Sequence, residues 1–212
     1  MDIQLHNDYV YTRQLDLDLA EQRYAARTMY EYIMSNFTSN RETDYNRGLA
    51  PQTTNLYAQY NYFLYPIPGL HELFNEIKET FHKCYLRHYN GTLPTEPFYT
   101  QAWLNVYREG EFIDWHSHWP AEFESWHGFY CVDVEPNSST TYRLFGNIPE
   151  KDDIVVPSQD NLLVISRSDG DIHRSSEWNN LYKPRITIAF DIIPRSELYN
   201  RKNYEKNHWI PI

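Results

Sequence analysis

Apolar positions in the first part of the chain recur at three- and four-residue spacing; in the second part they come in short alternating runs. Residues Asp18 to Phe37 contain good helix formers and an apolar stripe through Leu19, Tyr24, Met29 and Ile33, which predicts a helix. A polar loop, SNRETDYNRGLAPQ, follows. Asn55 to Leu64 is rich in Tyr, Phe and Leu and predicts a strand. Pro66 and Pro68 then punctuate the start of a second helix carrying Leu70, Leu73, Phe74, Ile77, Phe81 and Tyr85, and Asn90-Gly91 ends it.

After Pro97 the helical period disappears. The runs FYTQAWLNVY, EFIDWHSH, HGFYCVDV, TTYRLF, NLLVIS and PRITIAFDII are separated by turn signals at Arg108-Glu109-Gly110, Glu135-Pro136-Asn137 and Ser168-Asp169-Gly170. About six to eight short strands without crossover helices fit a sandwich or jelly roll rather than a parallel sheet. The expectation is one domain, mainly β with flanking helices (α+β). In it residues 1–97 form a helical scaffold on the outer face of a sheet, 98–193 a jelly-roll (cupin-like) core, and 194–212 a C-terminal tail.

Composition narrows the partners. The chain has 212 residues, 41% hydrophobic and 23% charged, as expected of a soluble globular protein. Its formal net charge of -10 argues against nucleic-acid binding, which draws affinity from Lys and Arg on phosphates. No apolar stretch reaches membrane-spanning length. The N-terminus has no basic start followed by an apolar run, and Cys84 and Cys131 form no metal-type pair, so a reducing cytoplasmic setting is expected. A dimer is compatible with all of this. The 19 Tyr and 6 Trp suggest amphipathic surfaces around a pocket or interface, or simply core filling. Trp103, Trp115, Trp119 and Trp126 fall near the segment that carries the chemistry.

That segment is Asp114-Trp115-His116-Ser117-His118. On a strand, residues two apart point to one face, so His116 and His118 can grip one ion, with Asp114 on the same face as an alternative ligand or an orienting acceptor. A His-x-His alone is weak. His173, in a late strand, can complete a three-ligand face with open positions across a jelly-roll mouth. The imidazole set suits Fe(II), Zn(II), Cu(II) or Ni(II). His127 is a further candidate as a pocket residue. Arg185 shares a strand face with Thr187 and Ala189. A buried arginine needs a partner, either a protein carboxylate or a ligand carboxylate held bidentately, and Thr187 adds a hydroxyl.

The order of these elements resembles the Fe(II)/2-oxoglutarate-dependent oxygenase superfamily, whose fold is a double-stranded β-helix. Tyr107-Arg-Glu-Gly110 followed by His116 and His118 resembles the approach to the metal pair in prolyl-hydroxylase-like members, and the run WLNVYREGEFIDWHSH is similar to a bacterial and phage branch that carries His-x-His here. The resemblance covers about Phe98 to Ile193. It implies Fe(II) held by His116, His118 and His173, with 2-oxoglutarate as co-substrate and dioxygen as oxidant. Arg185 would hold the distal carboxylate of 2-oxoglutarate, with Thr187 and Tyr107 beside it. The implied reaction is hydroxylation of a small-molecule, peptide or protein substrate. His118 departs from the family, standing where most members carry a carboxylate, and this keeps Asp114 as its rival. Two other readings stay open: a cupin-like metalloenzyme that does not use 2-oxoglutarate, which needs no role for Arg185, and a non-catalytic binding module on the same barrel.

Overall fold

The computed structural model describes residues 2–7, 9–36, 52–53, 61–118, 124–145, 152–168, 170–200 and 208–212. Two helices form where the apolar period predicts them: α1 (Leu19–Asn36) and α2 (Leu70–His88). Asp18 caps α1, its carboxylate accepting from the backbone N–H of Ala20 at 2.9 Å and Glu21 at 3.2 Å. The buried face of α1 is Gln22, Ala25, Ala26, Met29 and Ile33. Tyr24, expected in the stripe, is 63% exposed. Ala25 and Ala26 are fully buried on the sheet side instead, so the buried stripe runs beside Tyr24 rather than through it. Helix α2 buries Leu70, Leu73, Ile77, Phe81, Cys84 and Tyr85. It stops at Asn90 (φ 51) and Gly91 (φ 83), where the left-handed backbone lets Gly91 N–H return to Leu86 O at 2.7 Å.

The strands form two sheets. The larger contains β1 (Gln4–His6), β2 (Val10–Gln14), β3 (Gln52–Thr53), β4 (Phe98–Tyr107), β5 (Trp126–Asp133), β8 (Leu162–Arg167), β10 (Arg185–Pro194) and β11 (Ile210–Pro211). Its order is β1-β2-β8-β5-β10-β4-β11, with β3 also on β4. The smaller sheet is β7 (Ile154–Pro157), β6 (Ser139–Leu144) and β9 (Asp171–Ser175), in the order β7-β6-β9. A short helix α3 (Arg195–Asn200) follows β10. The chain ahead of residue 98 is therefore not purely helical, since β1 and β2 extend the large sheet, and the C-terminal segment returns to pair with β4. Of the strand expected over Asn55–Leu64, residues 55–60 lie outside the described residues, and Tyr62–Leu64 forms a 3-10 turn capped by Asn61.

Alternation gives the large sheet two characters. Ile186, Ile188, Phe190 and Ile192 of β10 join Ala25, Met29, Ile77 and Phe81 of the helices in one core. Gly128 is required there: a Cβ would sit 2.2 Å from Val164 O and against the Phe190 ring. The opposite face of the same strand carries Arg185, Thr187, Ala189 and Asp191. It looks toward the small sheet, whose Tyr142, Leu144, Ile154 and Val156 pack on Val10 and Val164 of the large one. No helix among the described residues is long and apolar enough to cross a membrane.

Candidate metal centre

Strand register arranges the inner face of the large sheet in rows. Ser166 on β8, His127 on β5, Asp191 on β10 and Gln101 on β4 pair directly across the sheet. Two rows further along lie Cys131, Thr187 and Asn105, and Arg185 then pairs with Tyr107. The inner face is thus polar at both ends, and Val164, Phe129, Ala189 and Trp103 form an apolar row between.

His116 and His173 meet through the backbone. His116 N–H donates to His173 O at 3.1 Å, and His173 N–H to His116 O at 3.0 Å. Residues 111–118 do not form the regular strand expected of them. Ile113 pairs with Ser175 and His116 with His173, so three steps on one side match two on the other. Trp115 is therefore turned outward. The guanidinium of Arg143 lies 4.3 Å from its ring centroid and that of Arg174 4.8 Å, both from the outer face of the small sheet. With two such contacts worth roughly 0.5–1 kcal/mol each, Trp115→Ala should loosen the segment and weaken metal uptake about tenfold. An unchanged metal titration would show that the clamp does not hold the histidines.

The three histidines expected to meet do so. Each of His116, His118 and His173 offers a ligand atom within 4.8 Å of the others. His116 Nδ1 bonds Asp114 O at 2.8 Å, His118 Nδ1 bonds Asp191 Oδ1 at 2.5 Å, and His173 Nδ1 lies 3.5 Å from Asp171 Oδ1, longer than an ordinary hydrogen bond. Every Nδ1 faces an oxygen, which leaves each Nε2 lone pair for an ion. Asp114 stands outside this group. It is exposed, and its carboxylate accepts its neighbour's backbone N–H at Trp115. Its same-face placement required a regular strand, which the irregular pairing removes.

A second cluster shares His173: His127, Asp171 and His173, all buried. His127 lies against both His118 (ring centroids 4.5 Å) and His173 (4.6 Å), which are themselves 5.2 Å apart. Asp171 accepts from His127 Nε2 at 3.1 Å and from Ser166 Oγ. Burial would raise the Asp171 carboxyl, but His127 and His173 outweigh it and hold it well below the carboxylate range. Burial pushes His116 down to about 4, helped by His118, and pushes His173 well down, so both are neutral and ligand-ready at pH 7. For His118 burial acts the same way, but the Asp191 carboxylate outweighs it and leaves the group raised.

Arg185 is 1% exposed. Its guanidinium lies 4.9 Å over the Tyr107 ring, and its Nη2 reaches Thr140 Oγ1 at a long 3.4 Å. Nε and Nη1 have no hydrogen-bond partner, and no carboxylate pairs with it among the described residues. The Tyr107 hydroxyl lies within hydrogen-bond reach of Ser175 and Thr187, and burial raises its pKa. Two further buried groups without hydrogen-bond partners face the same interior, the Tyr142 hydroxyl and Asn105 Oδ1. Thr140 by Arg185 and Tyr142 by His173 (ring centroids 5.2 Å) are two residues apart on β6, a step of roughly 7 Å. A short dicarboxylate spans that distance.

Asp191, Asp171 and Tyr142 were not foreseen from the sequence. Period two would have found both aspartates, since Asp191 shares the face of Arg185 and Asp171 that of His173. Of the tryptophans, Trp103 stacks on His118 at 6.0 Å. Trp126 is buried among Tyr11, Phe81 and Tyr85 on the helix side, and Trp119 lies outside the described residues.

No family model and no curated protein matches the sequence. Solved structures do match in shape. A Trichoplax adhaerens prolyl hydroxylase, in complex with a hypoxia inducible factor oxygen degradation domain peptide fragment, superposes with a TM-score of 0.62 at 12% identity, over 92% of this chain and 88% of that one. A Pseudomonas putida prolyl-4-hydroxylase gives 0.55 at 12% identity, over 88% and 92%. SnoK, a non-haem alpha-ketoglutarate-dependent carbocyclase from nogalamycin biosynthesis, gives 0.57 at 10% identity, over 87% and 79%. The fold is the double-stranded β-helix of the 2-oxoglutarate-Fe(II) oxygenases.

Proposed function

We propose that the protein is an Fe(II)- and 2-oxoglutarate-dependent dioxygenase that hydroxylates a peptide, protein side chain or small molecule. The observation that carries this reading is Arg185. A buried guanidinium with two free donors is costly, and it is tolerable where a ligand carboxylate completes it. The donor set fits the implied metal: three imidazoles, each offering a ligand atom within 4.8 Å of the others, leave coordination positions for further ligands.

Bound Fe(II) with 2-oxoglutarate and dioxygen would supply the oxidising power for C–H hydroxylation. The chain's own residues do the positioning. His116, His118 and His173 hold the metal. Arg185 receives the distal carboxylate of the co-substrate, and Tyr107 and Thr187 fix the guanidinium's floor. Tyr142 offers an unused hydroxyl between the two ends, and the row of Val164, Phe129, Ala189 and Trp103 keeps the interior apolar between them.

Anaerobic addition of Fe(II) and 2-oxoglutarate to the apo protein should give a weak visible charge-transfer band that requires both. Metal uptake without any dependence on 2-oxoglutarate would favour a cupin-like enzyme, and uptake of neither would leave a binding module.

A further inference from the structure

Three imidazoles contribute no charge, so a dication among them would sit in a buried site with both positive charges uncompensated by its ligands. The structure places two carboxylates directly behind those imidazoles. Asp191, on β10, holds His118 Nδ1 at 2.5 Å, with both side chains largely buried at 13% and 12% exposure. Asp171, on β9 and 1% exposed, lies 3.5 Å from His173 Nδ1 and is fixed by His127 Nε2 and Ser166 Oγ. Neither has an arginine or lysine partner among the described residues; both are spent on histidines.

We infer that Asp191, seconded by Asp171, is a positioning residue that supplies from behind the imidazoles the negative charge the three-histidine ligand set lacks. The inference rests on the metal-site reading above. Asp171, 3.5 Å from His173 Nδ1, adds its charge without a hydrogen bond to that ring, whereas Asp191 does two things at His118. It accepts the Nδ1 proton, which fixes the tautomer with Nε2 bare and aimed at the metal. It also makes the imidazole a stronger donor by drawing on that proton. In the row Ser166, His127, Asp191 and Gln101, Asp191 sits inside the large sheet, between β5 and β4, where the strand is paired on both sides. The charge is thus carried by a long strand paired on both sides, not by the irregular segment that holds His116 and His118.

The test is titration of the full-length apo protein with Co(II) alone, read by its visible spectrum, so that neither 2-oxoglutarate nor turnover enters. Asp191→Asn keeps the shape and removes the charge. It should weaken Co(II) binding by roughly 10–100-fold while the apo melting temperature stays near that of the wild type. His118→Asp alone should also weaken binding, because it sets a second carboxylate against Asp191. The double variant His118→Asp with Asp191→Asn moves the charge from behind the ligand onto the ligand and should recover affinity. A purely structural Asp191 would not give that rescue. If the wild type binds Co(II) and Asp191→Asn binds it equally well, this inference alone falls. If the wild type takes up no metal, the metal site falls and takes the inference with it.

Discussion

Replacing Arg185 with glutamine should abolish 2-oxoglutarate binding while leaving metal uptake and the fold intact. The guanidinium is buried, lacks a protein carboxylate among the described residues, and keeps Nε and Nη1 free. Truncating one side of a buried, hydrogen-bonded charge pair costs about 2–5 kcal/mol, which is a loss of roughly thirtyfold to several thousandfold in affinity. The same change relieves the apo protein of an unpaired buried charge. Its melting temperature should therefore stay level or rise, and added 2-oxoglutarate should no longer raise it. Calorimetric titration of the Fe(II)-loaded variant with 2-oxoglutarate, beside thermal melts with and without it, measures both effects. Wild-type affinity in Arg185→Gln would remove the main support for this co-substrate and favour the cupin-like reading.

His173→Ala should be the most damaging change for the metal. His173 is the one residue common to both candidate clusters, and its ring lies 4.2 Å from that of His116 and 4.6 Å from that of His127. A four-ligand site is worth about 10–16 kcal/mol, so an even share is about 2.5–4 kcal/mol per ligand. That predicts a loss of roughly sixtyfold to several hundredfold in Fe(II) affinity, measured by anaerobic titration on protein whose circular dichroism is unchanged. Asp114→Ala is the matching control. With its carboxylate turned to its own backbone, Asp114 should be dispensable, and the variant should bind metal as the wild type does. A large loss there, with His118→Ala silent, would reinstate Asp114 as the ligand.

The sequence made the long regular elements legible because burial imposes a period on them. Both helices and the strands β4, β5 and β10 follow from apolar spacing. So does the shared face of Arg185 and Thr187, since period two needs only a regular strand. What escaped was short or polar. β1 (QLH) and β9 (DIHRS) carry too little apolar pattern to stand out, although β9 supplies His173. Tyr24 shows the converse failure, an apolar residue left exposed beside two fully buried alanines, its hydroxyl-bearing ring tolerating water. Asp171 and Asp191 look like ordinary surface acids in the sequence. Their role depends on where the small sheet lies over the large one, which is long-range packing that no local pattern encodes.

The mismatch between Ile113–Ser175 and His116–His173 has a consequence for how this segment can change. Because three steps on one side answer two on the other, Ile113 and His116 face the same side although they stand three residues apart. Even pairing of the same residues from Ile113 would set Trp115 opposite His173 and turn His116 out toward the arginines. A slip of one residue in this pairing therefore turns the centre inside out with no change of sequence. Within this stretch, register is the quantity under constraint.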